Sequence, residues 1–361
     1  MSNTFELEIR KQEDEKKRPY HALKDESHVV PMFQSPKSQI IIPEDKIAIA
    51  ASLLVFSLIG VTIRIYSEKL FSYIGEPVTS TIYPQIIGCF IMGVATELKA
   101  KIEITSHTLF VGIATGLCGS ITTFSGVIIG ASQQLFDVLD YDRSVAHNLL
   151  GGLTVCLLGF GLGYLALLFG RHLGEWLKNE YFPQASLENA VYAQPVFFNK
   201  KNLSKADKGV LILGGLGTSI VLIASLVVEG DRRLIYALVF APFGTFLRRY
   251  LSFFNPRNKR FPLGTFWTNV TGSGILVCLF LIPGSMSIDR NQCFVISGLM
   301  SGFCGCFTTV STWVAELYSL NRKDAYVYGG GSIICAQILS IIVFLIMGSE
   351  EHYNNICTAY T

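Results

Sequence analysis

Two tracts in this chain put small polar residues where hydrocarbon contact would call for apolar ones. GLCGSITTFSGV begins at Gly116 and GFCGCFTTVSTW begins at Gly302, 186 positions later. Both lie inside apolar stretches of membrane-spanning length. Glycines, paired threonines and a serine have no hydrophobic reason to gather there. They point to a helix broken at mid-membrane, where freed carbonyls and hydroxyls form a site for an ion. Residues for other chemistry are missing: there is no Gly-Lys-Ser/Thr phosphate loop, no histidine pair at metal spacing and no credible serine or cysteine triad, so no enzyme is expected.

Composition places these tracts in a polytopic membrane protein. Of 361 residues, 50% are hydrophobic and 16% charged, and the charges crowd into the first fifty residues and a few short loops. A net charge of +2 gives no reason to expect nucleic acid as a partner, whereas the apolar spans require a lipid bilayer. Residues 1–45 are polar, with prolines at Pro19, Pro31, Pro36 and Pro43, and are expected to form a disordered tail without a signal-peptide pattern. The nine cysteines, among them Cys89, Cys156, Cys278, Cys335 and the near-terminal Cys357, read as small buried hydrophobes and not as a disulfide framework.

Nine apolar spans of membrane length follow, from Lys46 to Ser67, Thr79 to Leu98, Leu109 to Leu135, Val145 to Gly170, Gly209 to Val228, Leu234 to Leu251, Pro262 to Pro283, Gln292 to Leu320 and Ala325 to Met347. The longest internal loop, Arg171 to Lys208, is basic. Together with Lys99, Lys101, Arg257, Lys259, Arg260, Arg322 and Lys323 it marks one side as cytosolic, so the N-terminus is expected inside and the C-terminus outside.

The repeat extends beyond the opening tracts. GVTIRIY from Gly60 matches GTFLRRY from Gly244, and PQIIGCF from Pro84 matches TNVTGSG from Thr268, both at an offset of 184. Each half thus holds four spans, and a single span between them inverts the second half relative to the first. The expected fold is all-α: two inverted four-helix repeats joined by a linking transmembrane helix, with the third helix of each repeat broken. The expected parts are the tail (1–45), a first repeat (46–170), a loop with the linking helix (171–230), a second repeat (231–347) and a C-terminal tail (348–361).

GTFLRRY, FPLGTFWTNVTGSG and GFCGCFTTVSTWVAE, taken in order, resemble the bacterial Fluc (CrcB) fluoride channels, four-helix subunits that assemble as antiparallel dimers. Two such units in one chain with a linking helix are similar to the eukaryotic fluoride exporters, often called FEX. The resemblance implies a structural sodium ion held by backbone carbonyls at Gly119, Thr122, Gly305 and Thr308. It also implies a pair of pore aromatics per path, contributed by opposite halves: Phe124 with Trp313 on one path, and only Val127 with Val310 on the other. One working and one vestigial pore are therefore expected.

Further pore residues follow from chemistry and the same resemblance. Asn269, a carboxamide in an apolar span, can offer N–H donors to an anion or tie helices together, and Gln85 replaces it in the first half. Thr309, Ser311 and Thr312 supply hydroxyls, and Tyr328 with Ser332, four apart on one helical face, form a polar track. Arg64 and Arg248 match a family arginine that either draws anions into a vestibule or, as the favoured reading, snorkels to the interface and pairs with a carboxylate. Glu316 faces Gly130 in the alignment and is structural or a gate.

The implied function is a passive, selective exporter of fluoride across the plasma membrane, complete as a single chain. The alternative is a secondary transporter of the dual-topology drug-efflux type, for which Glu97 and Glu316 are the candidate coupling carboxylates.

Overall fold

The computed structural model describes residues 46–76, 78–138, 141–181, 208–209, 212–217, 219–220, 232–285, 288–347 and 357. The expected N-terminal tail, most of the linking span from Gly209 to Val228 and nearly all of the C-terminal tail lie outside the described residues. What is described is helical, with no strand.

Among the described residues eight helices build the body, with a short helix at Lys99–Thr105 between the second and third. They are α1 (Lys46–Phe71), α2 (Ile82–Glu97), α3 (His107–Leu135), α4 (Val145–Tyr181), α5 (Arg232–Ser252), α6 (Leu263–Ser285), α7 (Arg290–Ser319) and α8 (Arg322–Met347). Seven of these segments are long and apolar enough to cross a membrane, and α2 is shorter, at 16 residues. Hydrocarbon offers a backbone no hydrogen bonds, so apolar segments of this length satisfy their peptide groups as helices. The polarity of α8 is reversed relative to a water-soluble helix. Ile334, Ile338 and Ile342 point outward, while Tyr328, Ser332, Ala336 and Ser340 share the buried face.

The halves repeat each other at their close crossings. A Cβ at Gly60 would strike the Leu117 carbonyl of α3, and one at Gly244 would strike the Phe303 carbonyl of α7. Likewise Gly88 abuts the Thr122 methyl and Gly272 the Thr308 methyl. Glycine at these positions lets α1 and α2 in one half, and α5 and α6 in the other, ride directly on the broken helix.

Three expectations need correction. Helix α4 does not stop at Gly170 but runs on to Tyr181, because RHLGEWLKNEY is rich in helix formers and needs no hydrocarbon to stay helical. The extension is anchored by Arg171, which pairs with Glu97 and lies over the Tyr318 ring at 4.0 Å. The cysteines are not all buried hydrophobes: Cys293, at the start of α7, is disulfide-bonded to Cys357. Their placement 64 residues apart hid a pairing that only the folded chain brings together. The third correction, at the arginines, belongs to the site.

The α3–α4 connection turns at Asp137, which adopts the left-handed conformation at φ 46°. The Arg143 backbone N–H at 3.1 Å and its guanidinium at 2.8 Å close the turn, and they hold the Asp137 carboxyl below the usual carboxylate range.

Candidate functional site

The site grows from the two breaks. In α3 the chain is α-helical over His107–Val111, widens to a π-helix over Gly112–Cys118, regains α geometry over Gly119–Ile121 and resumes at Phe124–Leu135. Helix α7 follows the same course: Arg290–Gly298, a π-helical Leu299–Cys304, Gly305–Phe307, then Ser311–Ser319. Thr122 and Thr308 leave helical geometry for the extended region, with ψ of 147° and 159°.

Side chains draw off the donors that would have continued each helix. The Thr123 N–H goes to Gln85 Oε1 at 3.2 Å instead of the Gly119 carbonyl, and the Thr309 N–H goes to Asn269 Oδ1 at 2.9 Å instead of the Gly305 carbonyl. The Gly126 N–H turns to the Thr123 hydroxyl at 3.2 Å, away from the Thr122 carbonyl. The Thr312 N–H turns to the Thr309 hydroxyl at 3.5 Å, away from the Thr308 carbonyl. The four carbonyls released from helical pairing are those at which the resemblance puts a cation. Neutral, hard oxygen donors of this kind suit an alkali ion.

Each broken helix is capped by the opposite half. The Thr122 hydroxyl accepts the Val310 and Ser311 N–H groups at 3.2 and 3.1 Å, at the start of the second segment of α7. The Thr308 hydroxyl accepts the Ser125 N–H at 3.2 Å, at the start of the second segment of α3. Thr123, Ser125, Thr309 and Ser311 complete a buried cluster of hydroxyls spaced 2.9 to 3.2 Å apart. Thr312 stands outside it, half-buried in the first turn after the break. Asn269 also donates to the Thr309 carbonyl at 3.1 Å, and Gln85 to the Thr123 carbonyl at 3.2 Å. Gln85 thus makes the same pair of bonds as Asn269, so the exchange preserves the tie between helices.

Neither Arg64 nor Arg248 reaches the surface, and among the described residues neither closes a salt bridge, although Glu68, one turn after Arg64, interacts with it electrostatically. Both are buried against the opposite half: Arg64 lies on Gly305 and Arg248 on Gly119. Arg64 donates to the Ser120 carbonyl at 2.8 Å and to the Ser301 carbonyl, and Arg248 donates to the Thr115 carbonyl at 2.8 Å. The π-helical turns free carbonyls that a five-donor guanidinium can satisfy, and this outweighs snorkelling. Two fixed positive charges at the centre also favour a monovalent over a divalent ion there.

The aromatics divide the two paths. Phe124 meets Trp313 edge-on, with ring centroids 5.5 Å apart at 75°. Phe160 of α4 closes the group, 4.7 Å from Phe124 and 5.2 Å from Trp313. On the other side Val127 packs on Gly159 and Val310 on Gly163, beside Gln85. A cavity of about 700 Å³ opens next to Val127, lined by Thr123, Gly126, Gln133 and Thr154 among others, and reaching Arg64.

Beyond Trp313 lies the track of α8. The Tyr328 hydroxyl donates to Glu316 Oε2 at 2.6 Å, while Glu316 Oε1 accepts from Thr265 at 2.7 Å and Asn255 at 2.9 Å. Ser332 donates to the Tyr328 carbonyl, and farther on Ser340 meets Ser132 of α3 at 2.6 Å, with Gln337 donating to Ser132 at 2.7 Å.

The family model described as CrcB-like protein, Camphor Resistance (CrcB), matches twice, over residues 51–167 and 235–349. The chain belongs to the CrcB family. Among curated relatives, Fluoride export protein 1 of Neurospora crassa is 31% identical over 82% of this chain, and the match spans 65% of that protein's length. Fluoride export protein 1 of Candida albicans is 29% identical over 80% of this chain and 76% of its own. The fluoride-specific ion channel FluC of Acinetobacter baylyi is 32% identical over 27% of this chain but 82% of its own length. One CrcB unit of this chain therefore corresponds to most of a whole bacterial protein. No solved structure matches.

Sequence reasoning missed Phe160, Ser132, Ser340 and the Asn255–Thr265 clamp on Glu316. The i, i+4 series Tyr328, Ser332, Ala336, Ser340 was a signal for the track. Nothing in the spacing marks Phe160 among the other aromatics.

The reciprocal caps make a testable demand. Thr122→Val keeps the shape of the side chain but strands the Ser311 N–H, at a cost of about 1–3 kcal/mol. It should lower the thermal midpoint of the purified protein, while Thr122→Ser should restore it. Equal midpoints for the valine and serine variants would sink the trans-cap.

Proposed function

We propose that this CrcB-family chain is a passive fluoride channel that carries both halves of a pseudo-dimer in one polypeptide and exports fluoride from the cytosol. The observation that carries this reading is the Phe124–Trp313 edge contact, made between opposite halves by crossing broken helices and continued by the α8 track. The fungal relatives' names, Fluoride export protein 1, agree with it.

Ring edges carry a partial positive charge, so they receive an anion without the grip of a full cation. The Tyr328 and Ser332 hydroxyls, which here donate to Glu316 and to the Tyr328 carbonyl, serve a passing ion as donors by rotating away from those acceptors. Fluoride that enters the cell as neutral HF and ionises there is driven outward by a negative-inside potential. The valine-lined path lacks an aromatic pair at the break, where Val127 and Val310 stand, and we assign conduction to the aromatic one. Within it we assign Asn269 and Thr309 to shaping the break, and Ser311, Thr312, Tyr328 and Ser332 to the wall.

Glu97 pairs with Arg171, and Glu316 is held by three hydrogen bonds. Neither is left as a free intramembrane carboxylate of the kind a proton-coupled carrier uses.

Fluoride efflux from liposomes tests the reading. The wild type should release fluoride under a voltage and retain chloride. Phe124→Ala should slow release by about tenfold, the loss of one favourable contact with the ion, whereas Val310→Ala should leave it unchanged. Equal losses in both variants would remove the single-path assignment, and free passage of chloride would remove the channel reading.

A sodium ion is assigned to the carbonyls of Gly119, Thr122, Gly305 and Thr308, where it would tie the two breaks together. Sodium should then raise the thermal midpoint over that in N-methylglucamine, by mass action. No difference between the two salts would withdraw the ion.

The positive-inside bias puts the N-terminus in the cytosol, and the disulfide agrees, since such bonds persist on the oxidising side of a plasma membrane. An impermeant thiol reagent applied to intact cells should label Cys293 and Cys357 only after reduction. Labelling from the cytosolic side alone would invert the topology.

A further inference from the structure

Trp313 is the buried tryptophan of this chain, 3% exposed, where Trp176 and Trp267 are each 54% exposed. Its indole Nε1–H has no hydrogen-bond partner among the described residues. An N–H taken out of water and left unpaired is costly, so such a group calls for an acceptor. The neighbouring rings offer none. Phe124 and Phe160 are hydrocarbon, and the Tyr328 hydroxyl is turned to Glu316. The edge of the indole that bears Nε1 also bears Cζ2, and Cζ2 would lie 3.6 Å from a Cβ at Gly329. That edge therefore faces α8 at Gly329, beside the Leu317 side chain and between Tyr328 and Ser332 of the polar track. The first half has Val127 at the matching position, which brings no donor to its path.

We propose that the Trp313 indole N–H is the hydrogen-bond donor that receives the anion at the aromatic constriction. The inference rests on the fluoride-channel reading and names the group that makes the path selective. Fluoride is small and a strong acceptor, so one directed N–H can replace a lost water at close range. Chloride is larger and a weaker acceptor, and it gains less from a single donor while meeting the same three rings. A neutral donor also lets the ion leave, which a buried guanidinium would oppose.

Two measurements on the full chain test this. In liposomes, Trp313→Phe keeps an aromatic edge but removes the N–H, and fluoride release should fall about tenfold, with chloride still excluded. In protein labelled with 15N-tryptophan, fluoride should shift the indole resonance that remains when the exposed Trp176 and Trp267 are replaced by phenylalanine, and chloride at equal concentration should not. A wild type that conducts fluoride while Trp313→Phe conducts equally well overturns the donor, as does an indole resonance indifferent to fluoride. The second readout decides the matter if the variant fails to fold. A wild type that carries no fluoride would instead overturn the channel reading itself, and this inference with it.

Discussion

The structure depends on one reciprocal interaction: the hydroxyls of Thr122 and Thr308 each accept backbone N–H groups from the helix that restarts in the opposite half. A helix that breaks at mid-membrane exposes peptide groups that neither lipid nor water can satisfy. Neither half satisfies them alone. Thr122 needs the N-terminus at Ser311, and Thr308 needs the N-terminus at Ser125. The exchange sets the register of α3 against α7 and so decides which aromatic of one half meets which of the other. It also explains why glycines gather beneath the threonines, because α1, α2, α5 and α6 must lie close enough to lock the breaks in place.

Positive charge at the same centre is the second constraint. Arg64 and Arg248 cross to the opposite half and turn their guanidinia toward carbonyls loosened by the π-helical turns. Arg64 bridges Ser120 of its own half and Ser301 of the other, which makes it a strut between the halves. The Nε and Nη1 of Arg248, buried at the centre and without a hydrogen-bond partner among the described residues, mark the less satisfied of the two. A bilayer interior tolerates such groups only where backbone dipoles face them, and the broken helices supply those dipoles.

Fusion of the halves lets equivalent positions diverge. Val127 stands opposite Trp313, Val310 opposite Phe124, Gly130 opposite Glu316 and Gln85 opposite Asn269. The exchanges that hold the break preserve their hydrogen bonds, as Gln85 and Asn269 do. Those along the path set valine against an aromatic ring and glycine against a carboxylate. One side becomes a cavity that passes Val127 and reaches Arg64, and the other a closed group of rings joined to a hydroxyl track. The scaffold is thus held to two-fold symmetry by its central bonds, and the paths are not.

The sequence by itself determined the class of protein, the repeat and the place of both breaks. Hydropathy over some 20 residues is a local quantity, and so is a cluster of Gly and Thr within an apolar span. The crossing of Phe124 to Trp313 also followed from the residues once their family resemblance was given. Only the tertiary structure decided where long side chains end. A rule for isolated helices sends Arg64 and Arg248 to the interface, whereas the folded chain offers them carbonyls at the centre. Cys293 and Cys357, Phe160 beside Trp313, and Ser132 beside Ser340 are joined by packing between distant segments, and no periodicity within one helix records which distant segment it will touch.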